Sequence, residues 1–368
     1  MNIPFLSFGA MHGAIRSEMV AAFERVYDSH WYILGKSVAR FEEAYAKFTG
    51  TEHCVGVSNG LDALYLSLKA LGVGAGDEVI VPSNGYIATW LSVTFTGATP
   101  VPVEPDNRTF NLDPTRIAAA VSPRTRAIIP IHLYGQACDM AGIMAVAEAK
   151  GLKVIEDNAQ GHAASFQGRL TGAWGHVNAT SFYPGKNLGA LGDAGAVTTD
   201  NAELAANVRT LRNYGSSKKY YNEVVGHNMR LDELQAELLL VKLAHLGDWT
   251  AQRRVIAGWY DAALAGIPGL LLPWTHPEAT HAYHLYVVRT DKRDAFQAYL
   301  ASEGIGTMIH YPVPPHLQEA YRDLGYGPGD FPIAEEMART CISLPLWPGM
   351  TKEMVDAVAA AARAFLSA

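Results

Sequence analysis

The chain has 368 residues, 49% apolar and 18% charged, a composition that can bury a large core without a metal or disulfide staple. Its 36 acidic and 29 basic residues give a formal net charge of −7, which argues against the broad basic face of a nucleic-acid binder. Three scattered cysteines, Cys54, Cys138 and Cys341, show no CxxC spacing and point to a reducing compartment without a thiol metal site.

The N-terminus, MNIPFLSFGAMHGAI, lacks a charged n-region and a small-residue cleavage site. No uncharged apolar run is long enough to span a bilayer, so a cytoplasmic protein is expected. From about residue 53 to 200, short apolar runs alternate with longer amphipathic ones. HCVGVS (53–58) reads as a strand before the helix LDALYLSLKAL, and EVIVP (78–82) as one before YIATWLSVTFTG. Strands TPVPVE and RAIIPIHLY (126–134) follow, then the helix MAGIMAVAEAKG and strands KVIEDN (153–158), ATSFY (179–183) and GAVTT (195–199). Such alternation predicts crossover units in a mainly parallel α/β sheet covered on both faces. Ligands gather at the carboxyl ends of such strands.

Beyond 201 the pattern turns helical, through NAELAANVRTLRNYG and a long region from RLDELQ to DAALAG. HAYHLYVVRT then reads as a strand, with His281 and His284 as structural residues, and DAFQAYLASEG reads as a helix. These predict a smaller α+β domain, with the boundary near 250 dividing the chain into 1–250 and 251–368.

Three segments carry chemistry. TSFYPGKNLGALGDAGAVTT (180–199) sets Lys186 among glycines where a strand becomes a loop. It fails the Walker A pattern, since Asn187 follows the lysine and Thr180 stands for the first glycine. Its glycines read instead as bare backbone that lets a bulky ligand approach. VIEDNAQGHAA (154–164) ends a strand on Glu156 and Asp157, where a carboxylate either caps the next turn or faces a ligand cation. SNGLDAL (58–64) opens a helix, where Ser58 and Asn59 either cap it or accompany an amide anion site. Together, a loop lysine, a strand-end carboxylate and an anion-binding helix start are the parts needed for pyridoxal 5′-phosphate.

These segments, with VGHNMRLDELQAELLLVKL, resemble the DegT/DnrJ/EryC1/StrS family of pyridoxal-phosphate-dependent sugar aminotransferases over essentially the whole chain. The resemblance implies a type I (aspartate aminotransferase) fold with a large mainly parallel mixed sheet and a smaller α+β C-terminal domain. It makes Lys186 the Schiff-base lysine and proton carrier, and Asp157 the partner of the pyridine nitrogen. By the same resemblance Gln160 is expected near the phenolic oxygen, and Gly60, Leu61 and Ser181 at the phosphate. Tyr86 resembles the aromatic residue that stacks on the ring. Asn228 resembles the asparagine that reaches the phosphate of a neighbouring subunit, which implies a homodimer with composite active sites. Asn158 and Ala194 depart from the residues the family often has there.

Within the family, the wording around Lys186 and NYGSSKKYYNEVVGHNMRLDELQ resembles enzymes that aminate C3 of a dTDP-3-keto-6-deoxyhexose with L-glutamate as donor. Tyr183, Lys219, Tyr221, His310 and Tyr311 are the candidates for the sugar–nucleotide pocket. A 4-keto-sugar or cyclitol aminotransferase is one alternative, and a non-catalytic regulatory protein of the same fold is another.

Overall fold

In the computed structural model, which describes residues 2–367, the apolar runs become strands. They are β1 (His53–Val57), β2 (Glu78–Pro82), β3 (Thr99–Val103), β4 (Thr125–Ile128) and β5 (Lys153–Asp157). After a short hairpin, β6 (Ser165–Phe166) and β7 (Arg169–Leu170), come β8 (Val177–Ser181) and β9 (Gly195–Thr199). Seven of them form one sheet in the order β1-β9-β8-β5-β4-β2-β3. Only β9 runs antiparallel to its neighbours in that sheet. Helices cover both faces, so central strands such as EVIVP are buried at every position rather than alternating with polar residues.

Two strands differ from the sequence expectation. In the run RAIIPIHLY the regular strand stops at Ile128, because Pro130 lacks the N–H that a further ladder bond needs, and beyond it an isolated bridge from Ile131 to Asp157 remains. In HAYHLYVVRT only β10 (Tyr286–Arg289) pairs, antiparallel to β11 (Cys341–Leu344). The residues before it run past the large sheet instead, with Ala282 N–H bonded to Gly135 O at 2.7 Å and Leu285 N–H to Tyr134 O at 3.1 Å.

The helix Glu233–Leu264 ties the molecule together. The Glu233 carboxylate accepts from the N–H groups of Gly35, Ser37 and Val38 at 2.7, 2.9 and 3.0 Å. It thereby caps the amino end of the helix Lys36–Thr49, where negative charge is favoured. Ala236, Leu239 and Leu246 pack with Phe41, Tyr45 and Phe182. One turn-series further on, Ile256, Tyr260 and Leu264 enter a second core built from β10, β11 and the helices Arg293–Ser302 and Lys352–Leu366. Among the described residues no helix is long and apolar enough to cross a membrane.

Candidate active site

Strands β1, β5 and β8 point the same way, so Val57, Asp157 and Ser181 end on one edge of the sheet. A cavity of about 880 Å³ opens there, between that edge and residues from the C-terminal core. Its wall includes Gly60, Tyr86, Asp157, Gln160, Ser181 and Lys186, together with Tyr183, His310 and Tyr311.

Side chains alternate along a strand, so Glu156 and Asp157 face opposite sides of β5. Glu156 turns away from the cavity. It contacts His132 Nε2 at 2.7 Å and accepts from the N–H groups of Gly172 and Gly175 at 2.9 Å each. Burial alone would raise its pKa, but His132 and these amides outweigh it and hold the carboxyl below its usual range. Asp157 lies on the cavity wall, where Thr89 Oγ1 donates to it at 2.7 Å and Ala159 N–H at 3.1 Å. Burial raises its pKa, and these two donors and the nearby Lys186 only partly offset that. A cation arriving on the carboxylate would complete the compensation.

Lys186 lies on the cavity wall. Burial brings its pKa down to about 8, against an opposing pull from Asp157, so roughly a tenth of it is unprotonated at pH 7, far more than of a free lysine. Its loop is braced on both sides. Asn187 Nδ2 donates to Ala282 O at 3.0 Å, Gln235 Oε1 accepts from Leu191 N–H at 2.8 Å, and Lys242 Nζ donates to Gly189 O at 2.7 Å.

The loop glycines serve this folding rather than the approach of a ligand, which corrects the sequence reading. A Cβ on Gly189 would stand 2.2 Å from Pro184 O, and one on Gly195 2.4 Å from Asn59 O. Gly185 alone of these three lines the cavity.

The helix Gly60–Ala70 starts at the cavity. Asn59 caps it by accepting from Asp62 N–H at 2.9 Å, and Ser58 also bonds Asp62. Asn59 therefore does the capping work and Ser58 donates to the Asp62 carboxylate, while the first amides of the helix have no intrahelical acceptor. Gly60 abuts Ser181 closely enough that a Cβ would reach 2.5 Å from the serine Cβ, so amide and hydroxyl donors share one narrow cradle. Leu61 follows Gly60 in the first turn, and its side chain is not on the wall.

Around the cradle, Gln160 accepts from Tyr134 N–H at 2.6 Å and donates to Tyr311 OH at 3.2 Å. The rings of Tyr311 and Tyr86 stand 5.3 Å apart, and His310 Nδ1 meets Ser343 Oγ at 2.9 Å. An amine, an under-compensated buried carboxylate, a helix start beside the Ser181 hydroxyl and an exposed aromatic suit pyridoxal 5′-phosphate. Lys186, Asp157, Gly60, Ser181 and Tyr86 would hold it.

Besides Leu61, three expected residues do not line this cavity. Lys219 and Tyr221 sit in an exposed loop, with Lys219 over the Tyr220 ring at 5.1 Å and Tyr221 under Lys218 at 4.9 Å. Asn228 is exposed and pairs through its backbone with Asn213. His284 corrects the sequence reading in the other direction, because it precedes β10 and lines the cavity. Thr89 and Arg253 also line it and were not singled out. Thr89, three residues past Tyr86 at a helix start, could have been noticed. Arg253 could not, since nothing in a long polar-faced helix tells which turn meets the cavity.

The pattern of the DegT/DnrJ/EryC1/StrS aminotransferase family matches residues 14–363. The chain belongs to that family. It is 50% identical to the erythromycin biosynthesis sensory transduction protein EryC1 of Saccharopolyspora erythraea, over 99% of this chain and 100% of that one. It is 48% identical to the dTDP-3-amino-3,6-dideoxy-alpha-D-galactopyranose transaminase of Aneurinibacillus thermoaerophilus, over 97% of each chain. The crystal structure of Streptomyces venezuelae DesV in complex with a ketimine intermediate superimposes with a TM-score of 0.98 at 47% identity, covering 100% and 99% of the two chains. This family member is therefore an aminotransferase that uses pyridoxal phosphate, on a large mixed, mostly parallel α/β sheet.

Proposed function

We propose that this aminotransferase moves the amino group of L-glutamate to C3 of a dTDP-3-keto-6-deoxyhexose, giving a dTDP-3-amino-3,6-dideoxyhexose. The observation that carries the reading is the pairing of Lys186 with Asp157 in one cavity large enough for a hexose beside the cofactor. The half-identical relative named for a dTDP-3-amino-3,6-dideoxyhexose supports the choice of substrate. When bound, pyridoxal phosphate would supply an aldehyde that takes up an amino group and a ring that draws in the electron pair left on carbon when a proton departs. Lys186 Nζ carries that proton, and its lowered pKa fits it to give and take near neutrality. Asp157 keeps the ring nitrogen protonated, and Gly60, Leu61 and Ser181 hold the phosphate. Gln160 stands by the phenolic oxygen, while Tyr183, His310 and Tyr311 face the sugar.

Asn228, Lys219 and Tyr221 complete the site from a second copy of the chain. Exposed apolar side chains support that homodimer: Tyr27 and Trp31 are 61% and 64% exposed, and Tyr220 and Val225 are 86% and 91% exposed. Its three cysteines are unpaired and buried, which suits a reducing cytoplasm.

The relative named as a sensory transduction protein keeps a regulatory reading in view. Turnover decides between them. Purified enzyme with glutamate should aminate a dTDP-3-keto-6-deoxyhexose, read by product mass, and Lys186→Ala should abolish this. Preference for the 4-keto isomer would overturn the regiochemistry, and cofactor binding without any turnover would favour the regulator. Mixing Asn228→Ala and Lys186→Ala subunits should restore activity, and no recovery would count against shared sites.

A further inference from the structure

Arg253, on the helix Glu233–Leu264, is 3% exposed, and its small accessible face lies on the cavity wall. A guanidinium has five N–H donors. Nη1 gives its two to Tyr283 O at 3.1 Å and Leu346 O at 3.3 Å. Nε is buried with no acceptor, and Nη2 has none among the described residues. No carboxylate forms an ion pair with Arg253 among the described residues, and its pKa falls to about 10 through burial alone.

Its neighbours offer no counter-charge. His284 and His162 are held neutral by burial, and both feel Lys186 and Arg253 as repelling cations. Asp157 is drawn toward Thr89, Ala159 and Lys186. A buried cation left in this state is costly unless an anion arrives with a ligand.

We propose that Arg253 receives a carboxylate of the amino donor. This rests on the aminotransferase reading, in which the donor must be an amino acid whose carboxylate lies within a few bonds of the carbon that meets Lys186. Apolar Leu344, Leu346 and Met308 share the wall with Arg253. A single, deeply set guanidinium beside them matches one planar carboxylate. A nucleoside diphosphate brings more charge and a base that must sit toward the open mouth. The two bonds from Nη1 hold the guanidinium in place before the donor binds.

The test uses the holoenzyme and its Arg253→Gln and Arg253→Lys variants. Glutarate, which has both carboxylates and no amine, is titrated by calorimetry, and dTDP is titrated separately. Arg253→Gln should weaken glutarate by about 30-fold or more, as for truncation of one member of a buried charge pair, while dTDP binding stays as in wild type. Half-saturation by glutamate in the donor half-reaction should rise in parallel. Arg253→Lys should fall between them, since an ammonium keeps the charge and loses the fork. If Arg253→Gln does not fold, Arg253→Lys alone decides. Unchanged glutarate affinity in a folded variant would leave Arg253 as a brace for Tyr283 and Leu346 and overturn the proposal. Loss of dTDP rather than glutarate binding would assign the arginine to the diphosphate and overturn it equally. A wild type that binds glutarate through Arg253 yet is not converted by glutamate would retain the carboxylate site and refute the choice of donor.

Discussion

Replacing Gly60 by alanine sets two effects against each other at the cofactor cradle. Alanine is the better helix former, by at most about 1 kcal/mol at an interior position. At Gly60, however, the new Cβ would lie 2.5 Å from Ser181 Cβ and 3.1 Å from its Cα and Oγ. Carbon atoms prefer about 3.5–4.0 Å, so the helix start and the end of β8 must separate by roughly 1 Å. Overpacking of this kind costs about 1–3 kcal/mol. The clash therefore wins, and the expected net loss of apo-protein stability is up to about 2 kcal/mol.

Separation also pulls the amides away from the phosphate. A hydrogen bond to a charged group contributes about 1.5–3 kcal/mol, so cofactor affinity should fall by about tenfold to a hundredfold. Urea melts of the apo-protein and absorbance titration with the cofactor measure the two losses. Gly258→Ala is the control, because it lies in the helix Glu233–Leu264 with nothing within 4 Å of the new Cβ. It should gain about 0.4–1 kcal/mol. A Gly60→Ala protein that melts and binds cofactor like wild type would refute the cradle geometry.

Two pH effects follow from the buried groups. Only the neutral amine attacks an aldehyde, so cofactor capture by the apo-protein should speed up with pH and reach half its maximum near 8, the lowered pKa of Lys186. Asp157→Asn should move that midpoint lower by removing the charge that opposes the shift, and a wild-type midpoint near that of a free lysine would refute the burial argument. Burial also holds His162 and His281 neutral down to about 3. Below about pH 6.5 the unfolded chain takes up protons that the folded chain refuses. Stability is therefore lost as pH falls from about 6.5 toward 3. Between pH 6 and 5 the two together should remove up to about 2–3 kcal/mol, and denaturant melts that do not change over that interval would contradict it.

The order of elements was legible in the sequence because each strand of the large sheet carries its own apolar run and each crossover its own helical period. Lys186 was legible too, as an amine placed among glycines at the end of a strand. The adjacent pair Glu156 and Asp157 shows where that reading stops. Alternation along β5 dictates that the two carboxylates face opposite ways, but it cannot say which side holds the cavity. That is decided by Thr89 on one face and by His132, Gly172 and Gly175 on the other, none of them local in sequence. The glycines of the lysine loop were misread for a related reason: the atoms they accommodate, Pro184 O and Asn59 O, approach only when the loop folds back and β9 pairs. His284 and Arg253 reach the cavity because two cores, shared by one long helix, close against each other. A pattern of apolar positions specifies that each core forms; which polar side chains are trapped between them is settled only by the packing.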